Sequence, residues 1–395
     1  MTATSKRPLD FDGLRPASPF LKPQHDRWRQ QVRSFVEVEI SPNLDAWEAA
    51  ATFPDELYGR ASEAGVLGMG FSEELGGTGA QIDLYYRIIM AEEFFRLGSG
   101  MVFADLATHW IALPPIISFG APEMRETVIK PILSGIKKIA FAVTEPSGGS
   151  DVGAIQTTAK KHSDHYLVNG SKTLISGATR ADFLLTAVRT GGPGVGGLSL
   201  LLIDAHSHGV SSAPVKGLTW YSRSNGSLAF DNVRVPISNL IGSENHGFAA
   251  LADQFNIERF SGIAATLAMA RKALAESIAF ARKRQTFGQR LIDHQAIRHK
   301  IVGMFQQVNC CYAYLDVLVW RFQQAETAVA DLAMLKVLAT NTLEHCARES
   351  LQVLGGSAYT ADNRVERIYR EARIFAIGGG PAEILMDLAG RQLGL

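Results

Sequence analysis

Apolar residues change period twice along this chain, and that switch limits the possible folds more than any other feature of the sequence. From Pro23 to about Gly135 they recur at helical spacing, as in Trp28, Val32, Phe35 and Val36 and again in Leu84, Ile88, Ala91 and Phe95. Prolines and glycines, among them Pro54, Gly76, Gly77, Gly98, Pro114, Pro115, Gly120 and Pro122, punctuate this region, so several helices of moderate length are expected. From Lys138 the texture becomes short runs bounded by turn residues: KIAFAVT, HYLVNGSKTLIS, DFLLTAVRT, GLSLLLIDA and SLAFDNVRVP. These read as strands of a compact antiparallel sandwich or barrel that ends near Gly242, with Asn169-Gly170 as a hairpin signal. From about Gly247 three long helical segments follow. Ile297, Ile301, Met304, Val308, Cys311 and Leu315 share one face of the second, and Leu332, Leu335, Ala339, Cys346 and Val353 one face of the third. Gly355-Gly356 stand where the third would be capped, and Gly378 to Gly380 break the chain before a final short helix.

A chain of 395 residues exceeds one ordinary core, so the switches in period mark separate lobes. The expectation is a multidomain α+β fold: an N-terminal helical domain over 1–136, a middle β-barrel or sandwich over 137–243 and a C-terminal four-helix bundle over 244–395. Hydrophobic residues at 46% and charged residues at 20% exclude global disorder. Lys plus Arg number 39, as do Asp plus Glu, so overall charge favours neither nucleic acid nor an anionic membrane. Zero net charge gives little repulsion between copies and suits an oligomer. Cys310, Cys311 and Cys346 show no CxxC spacing, which points away from disulfides and zinc and towards a reducing compartment. The N-terminal MTATSKRPLDFDG has no apolar stretch, and no later segment approaches about 18 uninterrupted apolar residues. A soluble cytoplasmic protein, without metal or membrane insertion, is expected.

GPGVGG at Gly192 to Gly197 formally satisfies G-x-G-x-x-G, but it leads into another strand rather than a helix N-terminus, so it reads as a hairpin connection. FAVTEPSGGSD, from Phe141 to Asp151, stops a strand at Pro146 and enters a small-residue turn. Gly148 and Gly149 permit close approach of a flat ligand and Thr144 and Ser150 offer hydroxyls; an ordinary strand-to-loop transition is the alternative. Glu258 falls on the stripe Leu251, Phe255, Glu258, Gly262, Ala265 and Met269. The following FSGIAATLAMA is apolar nearly all round, so a carboxyl there would be desolvated and raised towards the range of a general base. An ion pair with Arg259 or another cation is the equal alternative. Arg282, Lys283, Arg284 and Arg290 close that helix; its dipole accounts for at least two of them and leaves Arg284 open to a phosphate-bearing ligand. Cys310 and Cys311 read as core packing, and His109 and Trp110 as structural.

Together these segments resemble the acyl-CoA dehydrogenase family over nearly the whole chain. Phe141 to Asp151 is similar to that family's flavin-contacting signature, and Arg284, Thr286 and Phe287 in RQTFG to its second signature. HQAI at His294, QVLGG at Gln352 and REARI at Arg370 follow in the family's order. The resemblance implies FAD and the helical, β and helical domain order already read. It also implies that Phe141, Val143, Thr144, Gly149 and Ser150 line the flavin and inner acyl-CoA cleft. Leu174 and Ser176 in KTLIS stand where the family carries an aromatic residue and a threonine beside the flavin. Arg284, Thr286, Phe287 and Gln295, with Gln352, Gly355 and Gly356, would hold the adenosine-diphosphate portion of FAD, often that of a neighbouring subunit, in a homotetramer or dimer. Ser150, Phe255, Asn256, Arg259 and Gly379 are the substrate contacts it implies.

The family's commonest base, a Glu in Tyr-Glu-Gly-Thr, is missing, because Gly378, Gly379, Gly380 and Pro381 stand there. A subset that includes isovaleryl-, long-chain and citronellyl-CoA dehydrogenases carries its base on the first bundle helix, in a segment that resembles FNIERF, which makes Glu258 the expected base. The implied reaction is α,β-dehydrogenation of an acyl-CoA thioester to the trans-2-enoyl-CoA, as in fatty acid β-oxidation. Glu258 would remove the C2 proton, hydride would pass from C3 to flavin N5, and a ribityl hydroxyl with the Gly379 N–H would polarise the carbonyl. Electrons would leave to an electron-transfer flavoprotein. Arg223, Ser224 and Asn225 replace a Ser-Asp-Thr pattern near the CoA phosphates, and Pro381 removes a hydroxyl and an N–H near the cofactor. Two alternatives follow from these departures: a flavin oxidase or monooxygenase on the same fold, and a catalytically inactive subunit.

Overall fold

The computed structural model describes residues 7–79, 82–219, 222–361 and 363–395, apart from the side chains of 251–256. Two compact units result: Ser34–Ile82 with Met101–Glu258, and Met1–Arg33 with Asp83–Gly100 and Arg259–Leu395.

The first unit is built on a sheet. Its strands are β1 (Ile139–Ala142), β2 (Thr158–Lys161), β3 (His165–Ile175), β4 (Phe183–Arg189), β5 (Leu198–Asp204), β6 (Val210–Pro214), β7 (Gly226–Pro236) and β8 (Leu240–Ile241). They run in the order β6-β7-β3-β2-β4-β5-β8, with β1 beside β4. Alternation along β3 and β7 sends Tyr166, Val168, Leu228, Phe230, Val233 and Val235 into one apolar core. All five runs read as strands are strands, and Gly192 to Gly197 joins antiparallel β4 and β5. The antiparallel expectation needs one correction. β4 is parallel to both β1 and β2, which lie end to end along one of its edges, β1 opposite Phe183–Thr186 and β2 opposite Arg189.

Asn169-Gly170 is not a hairpin. β3 passes straight through it and stays paired with β7 on both sides of a register shift between Val168 and Gly170. A Cβ on Gly170 (φ +147) would lie 2.6 Å from Thr157 Cα, so the close approach of a neighbouring segment, not a turn, requires this glycine. Pro114 and Pro115 likewise fail to end a helix; His109–Phe119 contains both, since each proline removes only its own N–H from the ladder. The stretch Met101–Phe119 reaches a mean hydropathy of 1.3, enough by length and composition for a membrane span. It is nevertheless two helices, Met101–Leu106 and His109–Phe119, and half of it is buried.

The second unit is helical, with Leu84–Phe95, Gln295–Gln323, Val329–Leu354, Arg364–Ile377, Ala382–Leu393 and the part of the Gly247–Lys283 helix from Arg259 onward. The two apolar stripes are buried as expected, except that Ile297 is half-buried and Cys310, one residue off the stripe, is exposed while Cys311 is not. Val329–Leu354 ends at Gly355 (φ +59), and the Asn363 side chain caps Arg364–Ile377 by accepting from Val365 N–H. Glu92 and Glu93 lie in the core, where Arg15, Arg29 and Arg271 surround the first and Arg29 and Arg33 the second. Charges persist at such depth because they are paired.

Candidate active site

In the sheet unit, the turn after β1 and the end of β3 are tied together. Thr144 O accepts from Thr173 N–H at 2.9 Å. Beside that bond β3 bulges, its register against β7 slipping between Lys172 and Ile175, and Leu174 takes φ +56. A bulge re-aims one side chain, and here Leu174 is left 67% exposed between buried Lys172 and Ile175. Gly149 packs close by, where a Cβ would meet Thr144 Cγ2 at 3.4 Å. The segments of Thr144, Gly149 and Leu174 are therefore brought together. Phe141, Val143, Thr144 and Ser176 are half-buried, and Gly149 and Ser150 exposed.

Beneath this surface lies an ion pair that sequence reasoning missed. Lys172 Nζ donates to Glu145 Oε1 at 2.8 Å and to Val143 O at 3.0 Å. Glu145 also accepts from the backbone N–H groups of Gln156 (2.7 Å) and Thr157 (2.9 Å). Burial pushes the Lys172 ammonium down to about 8 against the pull of Glu145. For Glu145 burial works upward, but Lys172 and the donors of Thr157 and Gln156 prevail and hold the carboxyl below its usual range. The available signal was a lysine at an inward position of an apolar strand.

Glu258 and Arg259 are both half-buried on the Gly247–Lys283 helix, and Ala265 and Met269 further along the predicted stripe are buried. The side chains of Phe255 and Asn256 lie outside the described residues. Ser224, one of the three departures in the middle region, is buried and donates to the carboxylate of buried Asp105, which also accepts from Ser222 Oγ at 3.3 Å. Burial raises the Asp105 carboxyl to about 6, against those two hydroxyls and Arg180.

In the helical unit, RQTFG forms a hairpin in which Gln285–Thr286 pairs antiparallel with Gln289–Arg290. Phe287 and Gly288 between them have φ +49 and +78, the signs of a type I′ turn. A bulky residue is an outlier in that region, and the Phe287 ring is 98% exposed. His294 braces the hairpin. Its Nδ1 accepts from Gln289 Nε2 at 3.1 Å, which assigns the proton to Nε2 for donation to Thr286 Oγ1 at 3.0 Å. Arg284, Gln295 and Gln352 are exposed and Thr286 is half-buried. Gly355, Gly356 and Gly379 are exposed, with no heavy atom within 4 Å of where a Cβ would stand. Among the described residues, no group of three His, Cys, Asp or Glu side chains could hold a metal ion.

Three family models match the chain: acyl-CoA dehydrogenase, N-terminal domain, over residues 22–136; the middle domain over 140–233; and the C-terminal domain over 245–394. Acyl-CoA dehydrogenase AFT10-1 of Alternaria alternata is 33% identical over 394 residues, covering 92% of this chain and 90% of its own. The caffeyl-CoA reductase-Etf complex subunit CarC of Acetobacterium woodii is 31% identical over 371 residues, covering 92% and 97%. A crystallised Mycobacterium smegmatis chain assigned as an acyl-CoA dehydrogenase superposes with a TM-score of 0.92 at 39% identity, covering 95% of this chain and 99% of its own.

Proposed function

Because the chain belongs to the acyl-CoA dehydrogenase family, we propose that it is an FAD-dependent enzyme that converts an acyl-CoA thioester to its trans-2-enoyl-CoA with Glu258 as the base. One pair of positions carries the assignment. Gly379 bears no side chain where the family's commonest base stands, while Glu258 is half-buried on the long helix where a subset carries it.

The residues present fit FAD. In the sheet unit the exposed apolar side chain of Leu174 follows Thr173, whose N–H is bonded to Thr144 O, and the turn at Gly149 packs on Thr144, a surface that suits a flat isoalloxazine with polar edges. In the helical unit the outward Phe287 ring, the exposed Arg284 and bare backbone at Gly355-Gly356 suit an adenosine diphosphate. FAD, when bound, would supply the acceptor for the hydride that leaves C3.

A proton at C2 of a thioester is weakly acidic, so its removal needs a carboxylate held against it and polarisation of the carbonyl as enolate charge develops. The family resemblance gives the first role to Glu258, which would accept the proton at a carboxylate oxygen, and the second to the Gly379 N–H, which would donate to the carbonyl oxygen. The Acetobacterium woodii relative is named as a subunit of a reductase-Etf complex, which supports an electron-transfer flavoprotein as electron acceptor. The exposed Phe287 supports contact with the FAD of a neighbouring copy in a homotetramer or dimer. Three free cysteines suit a cytoplasmic location.

A panel of acyl-CoAs, scored by anaerobic bleaching of the bound flavin, tests the reading. Glu258→Gln should remain yellow and folded, yet lose at least about a hundredfold in bleaching rate and the exchange of the C2 proton. Retained turnover removes Glu258 from the mechanism. Fast reoxidation of the reduced protein in air would instead indicate an oxidase or monooxygenase, and absence of flavin absorbance an inactive subunit.

A further inference from the structure

Lys336 lies on the Val329–Leu354 helix at 7% exposure. Its ammonium donates to the carbonyl oxygens of Gly378 at 3.0 Å and Gly380 at 2.7 Å. Both belong to the turn between the Arg364–Ile377 and Ala382–Leu393 helices, where Gly378 and Gly379 are exposed and Gly380 is half-buried. Gly378 has φ −70 and ψ 149 and Gly379 has φ +67. An extended first residue followed by one with positive φ is the pattern of a type II turn, whose second central position favours glycine.

The Gly378 carbonyl and the Gly379 N–H are the two ends of one peptide unit. That unit is planar and trans, so an oxygen held from the buried side by Lys336 turns the N–H to the opposite side. Among the described residues, the Gly379 N–H donates to no protein acceptor. A cation on the carbonyl oxygen also polarises the amide and makes its N–H a stronger donor. Three consecutive glycines lose more conformational freedom on ordering than any other tripeptide, so without a clamp this turn would sample many orientations.

We propose that Lys336 is a positioning residue: by anchoring the Gly378 and Gly380 carbonyls it aims and strengthens the Gly379 N–H as the donor to the thioester oxygen. The identity of that acceptor rests on the function proposed above. A purely architectural lysine at the end of the Arg364–Ile377 helix would gain from the helix dipole and nothing more.

The test uses the flavin-loaded protein, Lys336→Met, which keeps the apolar stem without charge or donor, and Lys336→Gln, which keeps an uncharged donor. Each is titrated with acetoacetyl-CoA, an acidic thioester whose enolate absorbs in the ultraviolet, while the flavin-to-protein ratio is measured. The parent should lower the pH midpoint of enolisation below that of the free ligand. Lys336→Met should raise it by about one pH unit, a tenfold change, with Lys336→Gln in between and flavin content unchanged. Steady-state turnover should fall through kcat more than KM. Variants that enolise the ligand at the parent's midpoint overturn the assignment, whatever their stability; if Lys336→Met does not fold, Lys336→Gln decides on the same readout. A parent that leaves the midpoint at the free-ligand value overturns the thioester reading, and the role of Lys336 with it.

Discussion

The Lys172 ammonium meets the Glu145 carboxylate at 2.8 Å with both side chains almost wholly withdrawn from solvent. The same ammonium holds the Val143 carbonyl, so the pair fastens the turn that carries Thr144 and Gly149 to the bulged end of β3. Removing one partner leaves a buried charge with nothing to balance it. Lys172→Met should therefore cost about 3 to 5 kcal/mol in urea unfolding. Lys172→Met combined with Glu145→Gln should recover part of that loss, and a single substitution costing under about 1 kcal/mol would mean that the pair is not desolvated as found.

Substitution of Phe287 would separate stability from the cofactor binding proposed for it. Its ring is 98% exposed and meets the His294 ring edge-on at 6.2 Å, and its backbone pays for a left-handed conformation that asparagine tolerates well. Phe287→Asn should leave the flavin-free protein as stable as the parent or more so by about 1 kcal/mol. It should also lower the flavin retained after gel filtration. Calorimetry of the stripped protein and the absorbance ratio of the purified one measure the two effects, and unchanged flavin retention would remove Phe287 from the cofactor site.

Asp105 makes folding depend on pH in a defined window. Its folded value of about 6 lies above the ordinary 3.8, so below the lower value both folded and unfolded chains hold the proton. Between the two values only the folded chain holds it, and raising the pH costs stability; above about 6 both are ionised and the cost is constant. Asp105→Asn cannot ionise. It should gain on the parent by up to about 3 kcal/mol as pH rises from about 4 to 6, then keep that lead. Melting curves at stepped pH report the difference, and a gap that does not change with pH would show that the carboxyl titrates normally.

Legibility in the sequence followed how local each feature is. The change of period at Lys138 and at Gly247, the rejection of GPGVGG as a nucleotide loop and the stripe through Met304, Val308 and Leu315 were readable because each depends on neighbours a few residues away. Asn169-Gly170 misled because the same dipeptide serves a turn or the interior of a strand, and pairing with β7 decided which. Pro114 and Pro115 misled because a proline discourages a helix without forbidding one. RQTFG was found as a motif, yet its hairpin, the brace from His294 and the left-handed Phe287 were not, since all three are consequences of the turn geometry.

Sequence by itself determined the order of helical and β segments, the family resemblance and the loss of a carboxylate at Gly379, all of which are properties of residue type and local spacing. Tertiary structure alone decided which charges leave water. Lys172 and Lys336 are buried and paired only once chain segments 27 and 42 residues away supply Glu145, Gly378 and the apolar surroundings. The physical reason is that the state of an ionisable group, and the direction of a peptide unit bonded to it, are set by partners brought together only by folding.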